Sequence, residues 1–441
     1  MQNSHRHKRE PGTLNGYSLI GIGAGGIIGA GFFLGSSISI RQAGPSIVLA
    51  FLLCGFIMVQ VFSATVSISM NRPVTGSFRV YAEEFLGGYV GFMLGWIFYI
   101  SGILGISSEA LASGVFLQFW FPQIPLPFLA LSSLIFVMII NRLGMRFFGY
   151  VESVMAFVKI ALLLLFIGAG TYRLLAFGAP SAALSGALFP NGMGGFLQSM
   201  LIVIFTYSGI ASVTMAASRT RDPKRDLRIA NIGISFGIVL LYTLSILVLV
   251  LLVPWDTVST DISPFVQAMT AMKGFEWIAH LFSSVILMAT ISVMTASYFN
   301  GMQILVSFGI HKKVAGESGI RGSRDPIYPW LLSGTISVFV VCISFFAGTK
   351  TFNYLVSASS YVTLFNWMIN LLTYLQWDKL KRVDETARSS LVAGKAGIYA
   401  ALLLLIVLTV FSLGVPDFRT GFAVFASLVF ILSVFRSIRK A

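Results

Sequence analysis

Gly23-Ala-Gly-Gly-Ile-Ile-Gly-Ala-Gly31 places five glycines in nine residues, inside the first long apolar stretch of the chain. Glycine costs a helix up to about 1 kcal/mol per site relative to alanine, so a run this dense weakens the helix where it stands. Two physical readings follow. Small residues four apart, as at Gly25 and Gly29, let two backbones pack closely. In the other reading the helix is discontinuous, and its freed amides and carbonyls face a ligand near the membrane midplane. Glycine density alone does not choose between them.

The residues around this run make it a membrane segment. Of 441 residues, 56% are apolar and 10% charged, against roughly 25% charged in soluble domains. A soluble fold is excluded. Apolar runs bounded by Gly, Pro and charge predict twelve helical spans at about 17–40, 44–70, 86–118, 124–140, 150–174, 196–217, 229–253, 275–311, 327–347, 353–376, 392–413 and 416–436. With the N-terminus cytoplasmic, 24 basic residues fall in inside segments and five outside, a bias that orients both termini to the cytoplasm. The net charge of +14 is therefore an orientation signal with some contribution to lipid contact, and not a nucleic-acid footprint. Its densest run, Arg219 to Arg228, reads as a solvated connection.

Cys54 and Cys342 both lie in apolar runs, and His5, His7, His280 and His311 have no metal-ligand spacing. A disulfide scaffold and a zinc site are not expected. Met1 to Gly16 is hydrophilic and basic, without a cleavable signal core. The first apolar run is thus expected to remain as a membrane helix. No catalytic constellation and no phosphate-binding loop appears, so neither an enzyme nor a cofactor is expected, and ion-driven carriage fits better than hydrolysis-driven carriage.

A second soft spot lies in the sixth span, where Phe205-Thr-Tyr-Ser-Gly-Ile-Ala-Ser212 is polar for a membrane interior. Span six would open a second five-helix unit, corresponding to span one in an inverted repeat. Gly29-Ala-Gly31 followed by Phe32-Phe-Leu-Gly35, then Ala43-Gly-Pro45, Pro73-Val-Thr-Gly-Ser77 and Gly95-Trp96, resembles the N-terminal signature of amino acid permeases of the amino acid-polyamine-organocation superfamily. The resemblance to its amino acid transporter branch continues through Glu109, Glu152 before Lys159, Asp222-Pro-Lys-Arg225, Asn353-Tyr-Leu and Trp367, covering about residues 15 to 376.

That resemblance implies an all-α membrane protein of twelve transmembrane helices: two inverted five-helix repeats, as in the leucine transporter, plus two C-terminal helices. The chain would divide into a tail (1–16), repeats at 17–174 and 196–376, accessory helices at 392–436 and a tail at 437–441. It also implies a substrate site at Ile27, Ile28, Gly29, Ala30 and Gly31. Amides around Ala30 and Gly31 would bind the substrate carboxylate, in keeping with the partial positive charge of a half-helix N-terminus. Carbonyls near Ile27, Phe205 and Ser208 would take the ammonium, with Phe205 as an aromatic lid. Ser107, Ala211, Ser212 and Thr295 would line the side-chain subsite. Three positions depart from the pattern: Ala30 stands where Ser or Thr is common, Ala211 where Glu is frequent, and Gln303 where Arg is common.

Lys159 is the tenth residue of its span, about 14 Å in and near the midplane. A charge there costs about 2.5 to 3.5 kcal/mol and needs a partner or the loss of its proton. The resemblance implies that its ammonium holds span-one carbonyls near Gly23 and couples transport to protons. A permanent strut between spans one and five is the alternative. Glu109 is either a neutral structural hydrogen-bond donor or a participant in proton transfer or substrate contact. Glu152, nearer the cytoplasmic end, is expected to be solvated or paired.

The expected function is proton-coupled import of an L-amino acid, neutral and largely apolar in side chain, by a multi-pass protein of the plasma (inner) membrane. Its partners are the amino acid, protons and the lipid bilayer. The alternatives are an exchanger of cationic amino acids or polyamines, and a non-transporting amino acid receptor of the same fold.

Overall fold

The computed structural model describes residues 14–143, 145–179, 187–259, 262–270, 276–309, 327–347, 351–383, 385–389 and 391–438. His5, His7, His311, most of the expected N-terminal tail and the last residues of the C-terminal tail lie outside them. The described chain is helical, and Leu14 and Thr220 pair as an isolated bridge. The helices are α1 (Gly16–Ile27), α2 (Ala30–Phe33), α3 (Gly35–Ala43), α4 (Ile47–Asn71), α5 (Ser77–Leu86), α6 (Gly88–Gln118), α7 (Leu126–Arg142), α8 (Met145–Phe177) and α9 (Gly192–Thr206). After a break follow α10 (Ala211–Ala216), α11 (Pro223–Leu252), α12 (Pro264–Thr270), α13 (Glu276–Ser307), α14 (Ile327–Ala347), α15 (Thr351–Leu380), α16 (Gly394–Ser412) and α17 (Pro416–Ile438).

Among the described residues, eight helical stretches are long and apolar enough to cross a membrane, and four shorter apolar helices accompany them. One of the eight runs from Ala30 to Asn71, but a turn divides it. Gly44 has φ +60°, and a Cβ there would overlap Pro190. Only glycine takes that conformation cheaply, and Pro45 follows it at the start of the turn that leads into α4.

The sequence-derived spans shift at two places for local reasons. Span three starts two residues late, at Gly88, because Gly87 with φ +99° separates α6 from α5, a helix in the expected connection. Span seven begins earlier than expected, because Asp222 accepts a hydrogen bond from Arg225 N (3.2 Å) and Pro223 occupies the first turn, a favourable pairing of N-cap and N1 residues. The run from Arg219 to Arg228 is therefore not simply a solvated connection. Asp226 is buried and its carboxylate accepts from Gly16 N (3.0 Å) and Asp222 N (3.1 Å). The start of α1 is tied by this residue to α11.

The site is positioned by α1, which packs on α8, α11 and α13, and by α9, which packs on α3, α4 and α15. Helix α6 closes the ring against α13 and α15. Between α15 and α16 a strap crosses the ends of α4 and α11. Glu385 accepts from Arg72 Nε (2.6 Å) and Trp377 Nε1 (2.8 Å), Asn71 Nδ2 donates to Ala387 O (2.8 Å), and Ser389 Oγ accepts from Asn231 Nδ2 (2.6 Å). These bonds satisfy polar groups that burial would otherwise leave costly.

Candidate functional site

The glycine run breaks its helix. The last rung of α1 is Ile28 N donating to Ala24 O (3.0 Å); Ile28 and Gly29 then run extended (φ −81°, ψ 98° and φ −146°, ψ −161°), and α2 starts at Ala30. The glycines serve both readings of the sequence at once. Gly29 sits where a Cβ would come within 2.6 Å of Val293 and 2.8 Å of Glu109, so close approach and discontinuity occur at one residue. Opposite it, α9 ends at Thr206, and a tight turn over Ser208–Ile210 leads into α10. The two breaks meet backbone to backbone: a Cβ on Gly209 would overlap Gly26 O.

Between the breaks lies a cavity lined by Ile27, Gly31, Phe205, Ser208, Ala211, Ser212 and Glu109 among the residues singled out in the sequence. The Phe205 ring rests against Gly31, 3.1 Å from where a Cβ would stand. Ile28, Gly29 and Ala30 lie behind the cavity wall rather than on it. Ser107 and Thr295 do not line it. Their hydroxyls donate to Ile103 O (2.9 Å) and Ile291 O (2.7 Å), one turn back in their own helices, the usual refuge of a helical hydroxyl without a better acceptor.

Several groups expected to face substrate already have protein partners. Ala30 N donates to both oxygens of Glu109 (3.2 and 3.1 Å). A carboxylate at a half-helix N-terminus is where such a charge is best held. Ile27 O accepts from Tyr242 OH (3.1 Å), and the Tyr242 ring stacks on Phe32 with centroids 3.8 Å apart. This fastens α2 to α11.

Lys159 is completely buried and uses all three ammonium protons: on Gly25 O (2.7 Å), Ile28 O (3.0 Å) and Ser292 Oγ (2.8 Å). The carbonyls are those at the break, two and five residues beyond Gly23. Glu152 is not solvated. It is fully buried, and its Oε2 accepts from Ser292 Oγ (2.7 Å).

Sequence reasoning missed the opposite wall. Val293, Ser297 and Asn300 of α13 face the cavity, as do Gly102 and Gly105 of α6. Their spacings of three, four and seven residues put each set on one helix face, a signal present in the sequence but unreadable without knowing which face meets span six. Gly105 has no atom within 4 Å of a would-be Cβ, so it leaves space. Asn300 donates from Nδ2 to Ser212 Oγ (2.8 Å), while its buried Oδ1 has no hydrogen-bond partner. Among the described residues no cluster of metal-ligating side chains occurs.

Two helices broken opposite each other around a buried polar cavity, in a scaffold of apolar membrane-length helices, define a membrane carrier. The crystal structure of MhsT in complex with L-phenylalanine has the same fold, with a TM-score of 0.64 at 16% identity, covering 91% of this chain and 99% of that one. The family model "Amino acid permease" matches residues 18–438, and the chain belongs to that family. The permease YvbW of Bacillus subtilis (strain 168) is 33% identical over 81% of this chain and 82% of its own length. The aromatic amino acid transport protein AroP of Escherichia coli (strain K12) is 29% identical over 82% of this chain and 80% of its own, and the gamma-aminobutyric acid permease of the same strain is 27% identical over 81% and 79%.

Proposed function

We propose that this permease imports an L-amino acid with an uncharged side chain, by proton symport with alternating access to the cavity between the two breaks. The observation that carries the reading is the position of Lys159, whose ammonium joins the span-one carbonyls of Gly25 and Ile28 to Ser292 of α13. A removable proton there controls the hold of α8 and α13 on the broken helix. With the proton on, all three bonds of the ammonium clamp the break; with it off, the neutral amine keeps two N–H donors, one bond and the charge are lost, and the hold on α1 weakens.

The remaining expectations fit within this reading. The helices pair into two inverted five-helix units, 17–174 and 196–376, with accessory helices at 392–436, and both termini lie in the cytoplasm of a plasma-membrane protein. Ile27, Ile28, Gly29, Ala30 and Gly31 form the main-chain half of the substrate site, opposite Phe205 and Ser208. Among the lining residues the only one bearing a charge is Glu109, and it is turned to Ala30 N. The rest of the wall mixes Phe98, Val293 and Val362 with Ser101, Ser297 and Asn300. This supports a neutral side chain, apolar over most of its surface, and argues against a cationic amino acid or polyamine.

The test is uptake of labelled L-amino acids into proteoliposomes, with and without an imposed inward proton gradient. Gradient-dependent accumulation of neutral amino acids is expected. Uptake that requires internal substrate and ignores the gradient would make the protein an exchanger, and binding without either would make it a receptor.

A further inference from the structure

Lys159 and Glu152 lie on one face of α8, seven residues and therefore about 10 Å of helix rise apart. Both are completely buried. Ser292 of α13 bridges them: its Oγ accepts from Lys159 Nζ (2.8 Å) and donates to Glu152 Oε2 (2.7 Å). The approach is built into α1 as well. A Cβ at Gly25 would overlap Glu152 Oε2, so that glycine admits the carboxyl to the Lys159 cluster.

We infer that Ser292 is a proton relay between Lys159 and Glu152, giving the coupling lysine a path towards the end of the bundle that carries the basic loops. This rests on the proton-symport reading above. In the step, a Lys159 Nζ–H bond breaks as that proton bonds to Ser292 Oγ. The original Ser292 O–H bond breaks as its proton bonds to Glu152 Oε2. The lysine becomes a neutral amine and the glutamate a neutral acid, with no net charge created in the membrane interior. That matters, since an isolated charge there costs several kcal/mol. Glu152 Oε1 is buried without a hydrogen-bond partner and so is the oxygen left open to hand the proton on.

Other polar groups around the cluster are engaged elsewhere or unable to carry a proton. Glu109 of α6 is held by Ala30 N, and Tyr242 of α11 donates to Ile27 O. The carbonyls of Gly25 and Ile28 only accept. Ser292 is the group that touches both Lys159 and Glu152. It has one alternative acceptor, Gly25 O at 3.2 Å, and turning its hydroxyl there interrupts the path without breaking its bond from Lys159.

The test compares wild type, Ser292→Ala, Ser292→Thr and Glu152→Gln in proteoliposomes, reading both gradient-driven accumulation and substrate counterflow. Ser292→Ala and Glu152→Gln are expected to lose accumulation by at least roughly tenfold more than counterflow, while Ser292→Thr, which keeps the hydroxyl, restores accumulation. Combining Ser292→Ala with Glu152→Gln should add little, since both interrupt one path. Wild-type accumulation should also slow in D2O, and Ser292→Ala should lose that sensitivity. A wild type indifferent to the gradient overturns the symport reading and the relay together. A driven wild type with an equally driven Ser292→Ala overturns the relay alone. Parallel loss of counterflow and accumulation in Ser292→Ala makes Ser292 a strut and also overturns it.

Discussion

The two broken helices are alike in outline and opposite in content. At the span-one break, the Gly25 and Ile28 carbonyls, the Ile27 carbonyl and the Ala30 amide are taken by Lys159, Tyr242 and Glu109. At the span-six break, Phe205, Ser208, Gly209 and Ala211 are half-buried and face the cavity. Breaking a helix frees backbone groups in either case. In one break side chains from neighbouring helices answer them; in the other the turn closes on its own carbonyls, Phe205 O and Gly209 O accepting from Tyr207 N and Ala211 N, and its residues line the cavity. Under the proposed function, the first is the control point and the second the receiving surface.

Making the meeting of the two breaks impossible is expected to have the largest effect. Gly209→Val drives a side chain into Gly26 O, and overpacking costs about 1–3 kcal/mol, occasionally more. No uptake and a lowered melting temperature in detergent are expected. Normal transport by this variant would mean that the breaks do not meet as described. Lys159→Met acts on the control side alone: gradient-driven uptake should fall by roughly a hundredfold or more, with binding of substrate at the cavity reduced far less. Equal loss of both would erase the functional distinction between the breaks.

Changes on the receiving side should alter selectivity rather than coupling. Asn300→Leu removes the unpartnered Oδ1, so any preference for threonine over the isosteric valine should shrink by roughly ten- to a hundredfold, as competition uptake would measure. Persistence of the wild-type preference would remove Asn300 from the substrate's surroundings. Gly105→Ala is the mildest: one methyl in open space should lower uptake of the bulkiest substrates by no more than roughly tenfold and leave alanine uptake unchanged. An equal loss for all substrates would place Gly105 in packing.

The sequence carried depth well and direction poorly. The glycine run and Phe205 to Ser212 marked where the helices are weak, and both do break there; that the weakness is a break and not close packing came from the family resemblance and the place of span six in the repeat. Lys159 was legible as a midplane charge, and its span-one partners, expected near Gly23, lie two and five residues beyond it. For Glu152 the solvated alternative failed and the paired one held, but its partner was not legible: distance along α8 says how deep a residue lies and not what stands beside it, and Ser292 comes from 140 residues further along the chain. Ser107 and Thr295 failed for the same reason. Each lies at a suitable depth, but its hydroxyl is satisfied inside its own helix. The wall formed by Ser297 and Asn300 needed the packing of α13 against α6, which no single helix reveals.

The full engagement of Lys159 has a consequence for what the cycle can respond to. A free metal ion filling the same place would have to be recruited from solution, and its occupancy would rise and fall with the salt of the compartment it came from. A cation fastened by its own four-carbon stem loses that translational freedom once, when the chain folds, and thereafter stays at the break whatever salt surrounds the membrane. What remains adjustable is its charge.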